Sequence, residues 1–275
     1  MKEKLYHFTS VEALMSMLSK YSAEHPYLTL WATHIKFLND SSEYQYGLQI
    51  CQKYANKYNQ DFCEEGVGLS LSLSTTERPF DAKLDPYVIS FSKVCDTASM
   101  WAMYSRNGTG IAISFNRDEL KKQEVSFKKS LLPCLYLENE DQLLPYREVI
   151  LNSFKLYYDG YSSDGNVCSQ EALRRVLSIH NALQPFFPAI KHPAFEYEQE
   201  VRLVYREDEV PSYRLSNGHL CPYKEVQIPV DAIEGIILGP ALTSKLDREA
   251  LRMFLSDKGL IELSKNIVIS QVPYR

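Results

Sequence analysis

The sequence predicts an α+β fold in one domain that covers residues 1–275. Strand-like and helix-like segments alternate along the chain, but without the regular β-α-β rhythm of doubly wound sheets. The stretch 138–187 differs from the rest because it has helical periodicity, and we interpret it as a helical insertion between strands. With 45% hydrophobic residues, a chain of this length can bury the core of one large domain.

Strands are predicted from short apolar or alternating segments. In the segment Y-V-I-S-F-S at 87–92, Ser90 and Ser92 share one face and Phe91 takes the other, so both hydroxyls are candidates to line a cleft or to satisfy nearby backbone groups. The predicted strands are 5–8, 28–31, 35–38, 87–92, 111–115, 125–127, 133–137, 194–205, 220–230, 235–238 and 266–270.

Helix starts are predicted from capping residues. Thr9 or Ser10 precedes the first helix, and Asp40 followed by Glu43 has the spacing of a capping box. A Gly/Ser-rich break at 160–165 separates the two helices of the insertion. The predicted helices are 11–19, 40–58, 97–104, 143–158, 169–183 and 244–256, with one short helix at 67–73 in an otherwise polar loop at 60–86.

Composition narrows the functional classes. The net charge of −5 provides no global basic field, so nucleic-acid binding would need a local patch. No run approaches 18 apolar residues, so no membrane span is expected. The six cysteines lack C-x-x-C spacing and neighbouring histidines, which argues against a metal site. Without a recognisable secretory leader, we expect free thiols and a cytoplasmic location.

Motifs for several enzyme classes are missing. The sequence has no G-x-S-x-G and no H-E-x-x-H, and the glycines at 108–110 match neither a dinucleotide fingerprint nor a phosphate loop. Trp101 and Tyr104 lie three apart on one helical face, where they could stack on a flat ring or pack in the core. His7 lies near the end of the predicted strand 5–8, where it could bind sugar hydroxyls of a ligand or be hydrogen-bonded at the sheet edge.

The acidic strand 194–205 is the most informative segment. Alternation puts Glu198, Glu200 and Arg202 on one face. Two neighbouring carboxylates repel each other unless a cation or a proton joins them, and a fixed pair can stabilise a developing positive charge. The alternative is a solvated strand face with an internal Glu–Arg pair.

Several motifs together resemble a bacterial family of unknown function. The family pattern combines N-D-x-x-E, S-F-S, M-W-x-x-Y before a glycine, and a block ending in Y-E-x-E-x-R. This chain departs from it at Ser41, where many members carry proline. The matching positions are Asn39, Asp40, Glu43, Ser90 to Ser92, Met100, Trp101, Tyr104, Gly110 and Lys191 through Arg202.

A second resemblance is to ADP-ribosyltransferase folds, through the opening L-Y-H-F-T-S segment with its helix and through Glu198-Gln199-Glu200-Val201. It implies a split, mixed or antiparallel sheet and NAD as the substrate. It also implies Glu200 as the catalytic carboxylate and Glu198 as a base for the acceptor. The other implied contacts to NAD come from His7 and Thr9 at the ribose, Ser90 or Ser92 at the nicotinamide pocket, Trp101 or Tyr104 on the ring, and Arg202 at the pyrophosphate.

The leading hypothesis is therefore an NAD-dependent ADP-ribosyltransferase-like enzyme in a toxin or phage-defence setting, with a protein or nucleic acid as acceptor. No metal is required. One alternative is a nucleotide or nucleic-acid binding module that needs His7 and Trp101 but not Glu200. Another is a subunit of a defence system that contacts a partner protein through its helical insertion. A third is a nuclease with Asp40, Glu43, Glu198 and Glu200 as metal ligands.

Overall fold

The computed structural model describes residues 3–38, 42–62, 85–124, 128–163, 171–207, 209–216 and 218–273. The chain divides into two compact units. The first contains Met1–His34, Ala82–Pro133 and Tyr197–Arg275, and the second contains Ile35–Asp81 and Cys134–Glu196. That these two units belong to one domain of residues 1–275 remains a prediction.

The fold is mixed α/β, in agreement with the predicted class. The strands are β1 Lys4–Thr9, β2 Tyr27–His34, β3 Tyr87–Ser92, β4 Ile111–Asn116, β5 Lys129–Pro133, β6 Leu135–Tyr136, β7 Ile190–Lys191, β8 Glu200–Tyr205, β9 Ser212–Ser216, β10 His219–Pro229, β11 Ile233–Leu238 and β12 Ile267–Ile269. The α-helices are α1 Val11–Met17, α2 Ser42–Lys57, α3 Ala98–Tyr104, α4 Arg117–Lys121, α5 Arg147–Ser163, α6 Glu171–Leu183, α7 Lys245–Asp257 and α8 Ile261–Lys265. Short 3-10 segments cover Ile35–Phe37, Asn59–Phe62, Glu140–Tyr146, Pro193–Glu198 and Val230–Ala232.

The first unit is built on one mixed sheet. Its strands follow the order β12-β11-β4-β1-β3-β2-β10-β9, with β8 beside β3 and β5 beside β8. β11 and β12 are parallel, and the other pairs of this sheet are antiparallel. Most connections are therefore those of an antiparallel sheet, which needs no helical crossover between neighbouring strands.

Strand β3 is the branch point of this sheet. β8 pairs along one edge of β3 from Tyr87 to Ser92. Because a strand has two edges, β1 and β2 share the other one: β1 pairs at Ser92, and β2 pairs at Tyr87 and Val88. Among the described residues, no strand pairs with 89–91 on that edge. We call this open edge of β3, between the diverging strands β1 and β2, the fork.

Two apolar layers cover the sheet of the first unit. The larger core includes Leu5 and Phe91 from the strands together with Leu14 of α1 and Leu255 of α7. A smaller cluster on α3 packs Met100 and Trp101 against Phe8 and Ala112. Helix α1 begins where predicted, because the Ser10 hydroxyl accepts a hydrogen bond from the Ala13 amide at 3.1 Å.

The second unit is mainly helical. Helices α2, α5 and α6 enclose a separate core of buried side chains, among them Leu48, Ile150 and Leu183. The predicted insertion 138–187 falls within this unit. The predicted break at 160–165 is wrong in its first part, since α5 continues to Ser163.

Several other element predictions need correction or cannot be compared. The segment 35–38 was expected to be extended, but Ile35–Phe37 is a 3-10 turn. Strands β5, β7 and β9 and the short helices α4 and α8 were not predicted. Asn39, Asp40 and Ser41, the helix at 67–73, the strand at 125–127 and the second part of the 160–165 break lie outside the described residues.

Residues of two sequence motifs, N-D-x-x-E and the block from Lys191 to Arg202, meet in the second unit. Glu43, in the first turn of α2, forms an ion pair of 2.9 Å with Lys191 on β7, and both side chains are at least nine-tenths buried. Lys191 also lies 4.9 Å from the centroid of the Phe195 ring. A buried charge is retained only when it is paired, so these residues have a structural role that accounts for the motif without a ligand.

Gly47→Ala is expected to destabilise the second unit, although alanine is the better helix former by about 1 kcal/mol. A Cβ at Gly47 of α2 would lie 2.5 Å from the Phe187 carbonyl oxygen. We expect this contact to outweigh the helix preference by about 1–3 kcal/mol. Thermal unfolding followed by far-UV circular dichroism measures the effect, and an unchanged or higher Tm would contradict it.

Candidate functional site

The fork contains the imidazole of His7. Its Nδ1 lies 2.9 Å from the Ser90 carbonyl oxygen, and its ring packs against Phe91 at 5.8 Å between centroids. A carbonyl oxygen only accepts, so Nδ1 carries the proton in the neutral ring and Nε2 is left as an acceptor. An acceptor nitrogen at an open strand edge suits the hydroxyl of a bound sugar.

Burial lowers the pKa of His7 below its ordinary value, because the charged ring loses hydration. The positive charge of Arg214 lowers it further, while the hydrogen bond to Ser90 acts in the opposite direction. His7 is therefore neutral at pH 7, and its Nε2 keeps its lone pair.

The stability of the first unit is expected to fall as the pH drops below about 6.5, the ordinary histidine pKa. In that range the unfolded chain binds the His7 proton more readily than the folded protein, so protonation favours unfolding. Above that pH the effect disappears. His7→Asn can still donate to Ser90, and it should remove this part of the pH dependence. Denaturation at about pH 5 and about pH 7.5 measures it, and an identical pH dependence in both proteins would contradict it.

The other side of the fork is formed by residues that the sequence did not suggest. Arg214 on β9 donates from Nη2 to the Thr33 hydroxyl on β2 at 2.8 Å. Its guanidinium lies 5.4 Å from the Trp31 ring and 5.9 Å from the Tyr223 ring. These residues come from three strands, and β9 was not predicted, so no local pattern in the sequence joins them.

The acidic segment is a turn followed by a strand, which corrects the predicted strand at 194–205. Pro193–Glu198 is a 3-10 turn, and Gln199 has a φ of 43°. A positive φ is uncommon for a residue other than glycine, and here it ends the turn and redirects the chain into β8. Glu198 therefore does not lie on the strand face of Glu200 and Arg202, and the prediction that all three share one face is wrong.

Glu200 and Arg202 form a buried bidentate ion pair. Arg202 donates from Nε to Oε1 at 2.8 Å and from Nη2 to Oε2 at 3.0 Å. Their side chains are 7% and 2% exposed. The predicted Glu–Arg pair thus exists, but it is buried rather than solvated. Two parallel charge-assisted hydrogen bonds fix the carboxylate in the ionised form and in one orientation.

Glu198 is also buried, and residues of neighbouring elements donate hydrogen bonds to it. The Tyr104 hydroxyl of α3 donates to Glu198 Oε1 at 2.6 Å. The Ser92 hydroxyl donates to the Glu198 carbonyl oxygen at 2.7 Å, and the Lys93 amide donates to the Gln199 carbonyl oxygen at 3.1 Å. Tyr104 therefore contacts a candidate acid, which differs from the ring-stacking role that the resemblance implied.

The register of β3 and β8 brings four predicted residues onto one sheet face. Ser90 is opposite Arg202, and Ser92 is opposite Glu200. Directly opposed residues share a face. Ser90 is exposed, whereas Ser92 is buried.

His7 is not on that face. Tyr6 is the β1 residue opposite Ser92, so alternation puts Tyr6 on the face of Glu200 and His7 on the other. The structure thus brings His7 to the open edge of β3, but the two predicted key residues approach the sheet from opposite sides.

Trp101 lies in the core of the first unit, and Thr9 is part of the sheet. Trp101 is fully buried, packs on Phe8 at 5.0 Å and donates from Nε1 to Asp96 at 2.6 Å. A ring with no exposed surface has no face for a ligand, so the proposed stacking role is dropped. Thr9 ends β1 opposite Ile111.

Among the described residues, no group of three or more His, Cys, Asp or Glu side chains has the arrangement of a metal site. Asp40 of the nuclease alternative lies outside those residues, and the carboxylates of Glu43, Glu198 and Glu200 have the protein partners given above. Three of the cysteines, Cys51, Cys134 and Cys221, are buried free thiols.

Comparison with protein families identifies one segment of the chain. Residues 100–203 match the model of the DUF2971 family, which is described as a protein of unknown function. This confirms the resemblance to a family of unknown function. The DUF2971 segment begins in α3 and ends in β8, so it includes Tyr104, Glu198, Glu200 and Arg202 but not the fork residue His7. Neither the curated proteins nor the solved structures give a match to the chain.

In the part of the chain that the structure describes, every helix is too short or too polar to span a bilayer.

Proposed function

We propose that the protein cleaves the nicotinamide–ribose bond of NAD and transfers ADP-ribose, with the ligand lying across the fork. The observation that supports this most strongly is the open edge of β3. His7 lies in that edge with an acceptor nitrogen, and β8 carries the acid–arginine pair on the other side of the same strand. Because His7 and Glu200 approach from opposite faces, the proposal requires that the ligand cross the open edge of β3.

The chemistry requires a fixed negative charge. When the C1′–N bond breaks, the electron pair leaves with nicotinamide and positive charge develops at C1′ of the ribose. A carboxylate held ionised stabilises that charge where it forms, which lowers the barrier rather than merely tightening binding. Arg202 holds Glu200 in this state.

Transfer is completed by an acceptor nucleophile that bonds to C1′ and loses its proton to a base. Glu198 is the candidate base, since it lies two residues before Glu200 and its carboxylate accepts a hydrogen bond from Tyr104. The resemblance suggests a protein or nucleic acid as acceptor, and a toxin or phage-defence setting with a partner protein. Localisation in the cytoplasm belongs to the same proposal.

NAD labelled in its adenylate half tests this proposal. The purified protein is incubated with the label, alone and with cell lysate, and free nicotinamide and macromolecule-bound label are both measured. We expect nicotinamide release with the wild-type protein and transfer of label to an acceptor. Label found only as intact NAD after long incubation would contradict turnover.

A binding module on the same fold is the second candidate. Both acids already accept hydrogen bonds within the protein, Glu200 from Arg202 and Glu198 from Tyr104. The fold therefore gives these carboxylates a role without turnover. Saturable NAD binding with no nicotinamide release would favour this candidate.

A further inference from the structure

We propose that Arg214 forms a phosphate-binding subsite on the β2 side of the fork, which receives a phosphate or diphosphate group of the bound nucleotide. The inference deepens the proposed function and rests on it where NAD is the ligand. Its basis is the state of the Arg214 side chain, which is half-buried and positively charged.

The charge of Arg214 is not balanced by a carboxylate within the described residues. Its polar contacts there are neutral groups, the Thr33 hydroxyl at 2.8 Å and the thiol of Cys221 on the paired strand β10. Its Nε is buried and has no hydrogen-bond partner among those residues. An unsatisfied buried donor on a charged group costs free energy, and an anion close to the guanidinium would offset part of that cost.

The aromatic side chains fix the guanidinium in place. Trp31 and Tyr223 are in contact, with ring centroids 4.9 Å apart, and Arg214 lies over both. An arginine ordered in this way holds the remaining N–H donors of its planar guanidinium in fixed directions, which suits the oxygens of a phosphate group. A flexible surface arginine would have to lose side-chain entropy first.

The position of Arg214 relative to the fork supports the same assignment. Thr33, its partner, is opposite Val88 on β3, and Ser90, with its exposed hydroxyl, is two residues further along that face. The guanidinium is near enough to His7 to disfavour its protonated form. Thr33 and Ser90 are on the sheet face opposite to that of His7, so a ligand that crosses the open edge of β3 from a sugar hydroxyl at His7 would meet this cation with its phosphate.

Calorimetric titration with inorganic pyrophosphate, ADP and uncharged adenosine tests the subsite at low salt. We expect the wild-type protein to bind pyrophosphate, and to bind ADP at least tenfold more tightly than adenosine. Arg214→Gln should lose that preference and its pyrophosphate binding. Arg252→Gln, which removes an exposed arginine paired with Glu249 on α7, should behave as wild type.

Two further variants keep the test decisive if Arg214→Gln does not fold. Arg214→Lys keeps the positive charge but not the planar set of donors, so its ADP affinity should lie between that of wild type and that of Arg214→Gln. Thr33→Val removes the positioning hydroxyl and should weaken ADP without affecting adenosine. Wild-type ADP affinity in both variants would overturn the subsite. Absence of pyrophosphate binding by the wild-type protein would also overturn it.

The outcomes also separate this inference from the proposed function. Pyrophosphate binding that depends on Arg214, without nicotinamide release, would retain the subsite and remove NAD cleavage. Nicotinamide release at the wild-type rate and KM in Arg214→Gln would retain NAD cleavage and overturn the subsite.

Discussion

Glu200→Gln is expected to lower the free energy of unfolding of the first unit by about 3 kcal/mol, the lower end of the range for removing one partner of a buried ion pair. The variant leaves the charge of Arg202 in a buried position without its carboxylate, and both side chains are less than one-tenth exposed. The amide retains one acceptor oxygen, which is why the lower end applies.

Tryptophan fluorescence during chemical denaturation measures this effect selectively. The chain has two tryptophans, Trp31 and Trp101, and both belong to the first unit. The matched control is Glu249→Gln on α7, whose exposed pair with Arg252 is expected to contribute less than about 1 kcal/mol. Equal stability of the two variants would contradict the buried-pair account.

A double variant separates lost charge balance from lost packing. Glu200→Leu with Arg202→Met replaces the pair by apolar side chains of similar length, and such replacements are often neutral or stabilising. We expect it to be more stable than Glu200→Gln alone. A double variant less stable than Glu200→Leu alone and Arg202→Met alone would show that the pair stabilises the fold beyond mutual neutralisation.

Trp101→Ala is expected to destabilise the first unit by about 3–5 kcal/mol, the usual cost of emptying a buried aromatic site. Trp101 is fully buried against Phe8, and it is one of three donors to Asp96 among the described residues. The other two are the Ser270 hydroxyl at 2.5 Å and the Gln271 amide at 2.8 Å. Its loss therefore opens a cavity and weakens the attachment of the segment that follows β12.

Trp31→Ala is the matched control, because Trp31 is half-buried beside Arg214 and outside that cluster. We expect it to cost less than about 2 kcal/mol. The tryptophan that remains in each variant reports its unfolding. A larger loss of unfolding free energy in Trp31→Ala than in Trp101→Ala would contradict the placement of Trp101 in the core and of Trp31 at the site.

Local signals explain what the sequence predicted well. The helix caps at Ser10 and Ser244 depend on hydrogen bonds within three residues, and Ser10 was one of the two caps predicted for the first helix. Alternation identified the strand ending at Tyr205 and the pairing of Glu200 with Arg202 on one face. Both features are set by neighbours in the chain.

The remaining features depend on distant contacts or on an uncommon backbone conformation. The fork arises because β1 and β2 share one edge of β3, which no segment encodes alone. Arg214 enters the site from β9, whose S-Y-R-L-S segment was not predicted to be a strand. Gln199 adopts a positive φ that its residue type does not favour, so Glu198 left the predicted strand.

The most direct test of the NAD proposal is the initial rate of nicotinamide release, measured side by side in wild type, Glu200→Gln, Glu198→Gln and the control Glu249→Gln, each first shown to be folded by tryptophan fluorescence. We expect wild type and the control to release nicotinamide at the same rate and Glu200→Gln to be slower on the order of 100-fold or more, the size of effect for removing one electrostatic contact to a transition state. A folded Glu200→Gln protein that releases nicotinamide at the wild-type rate would contradict the proposed site.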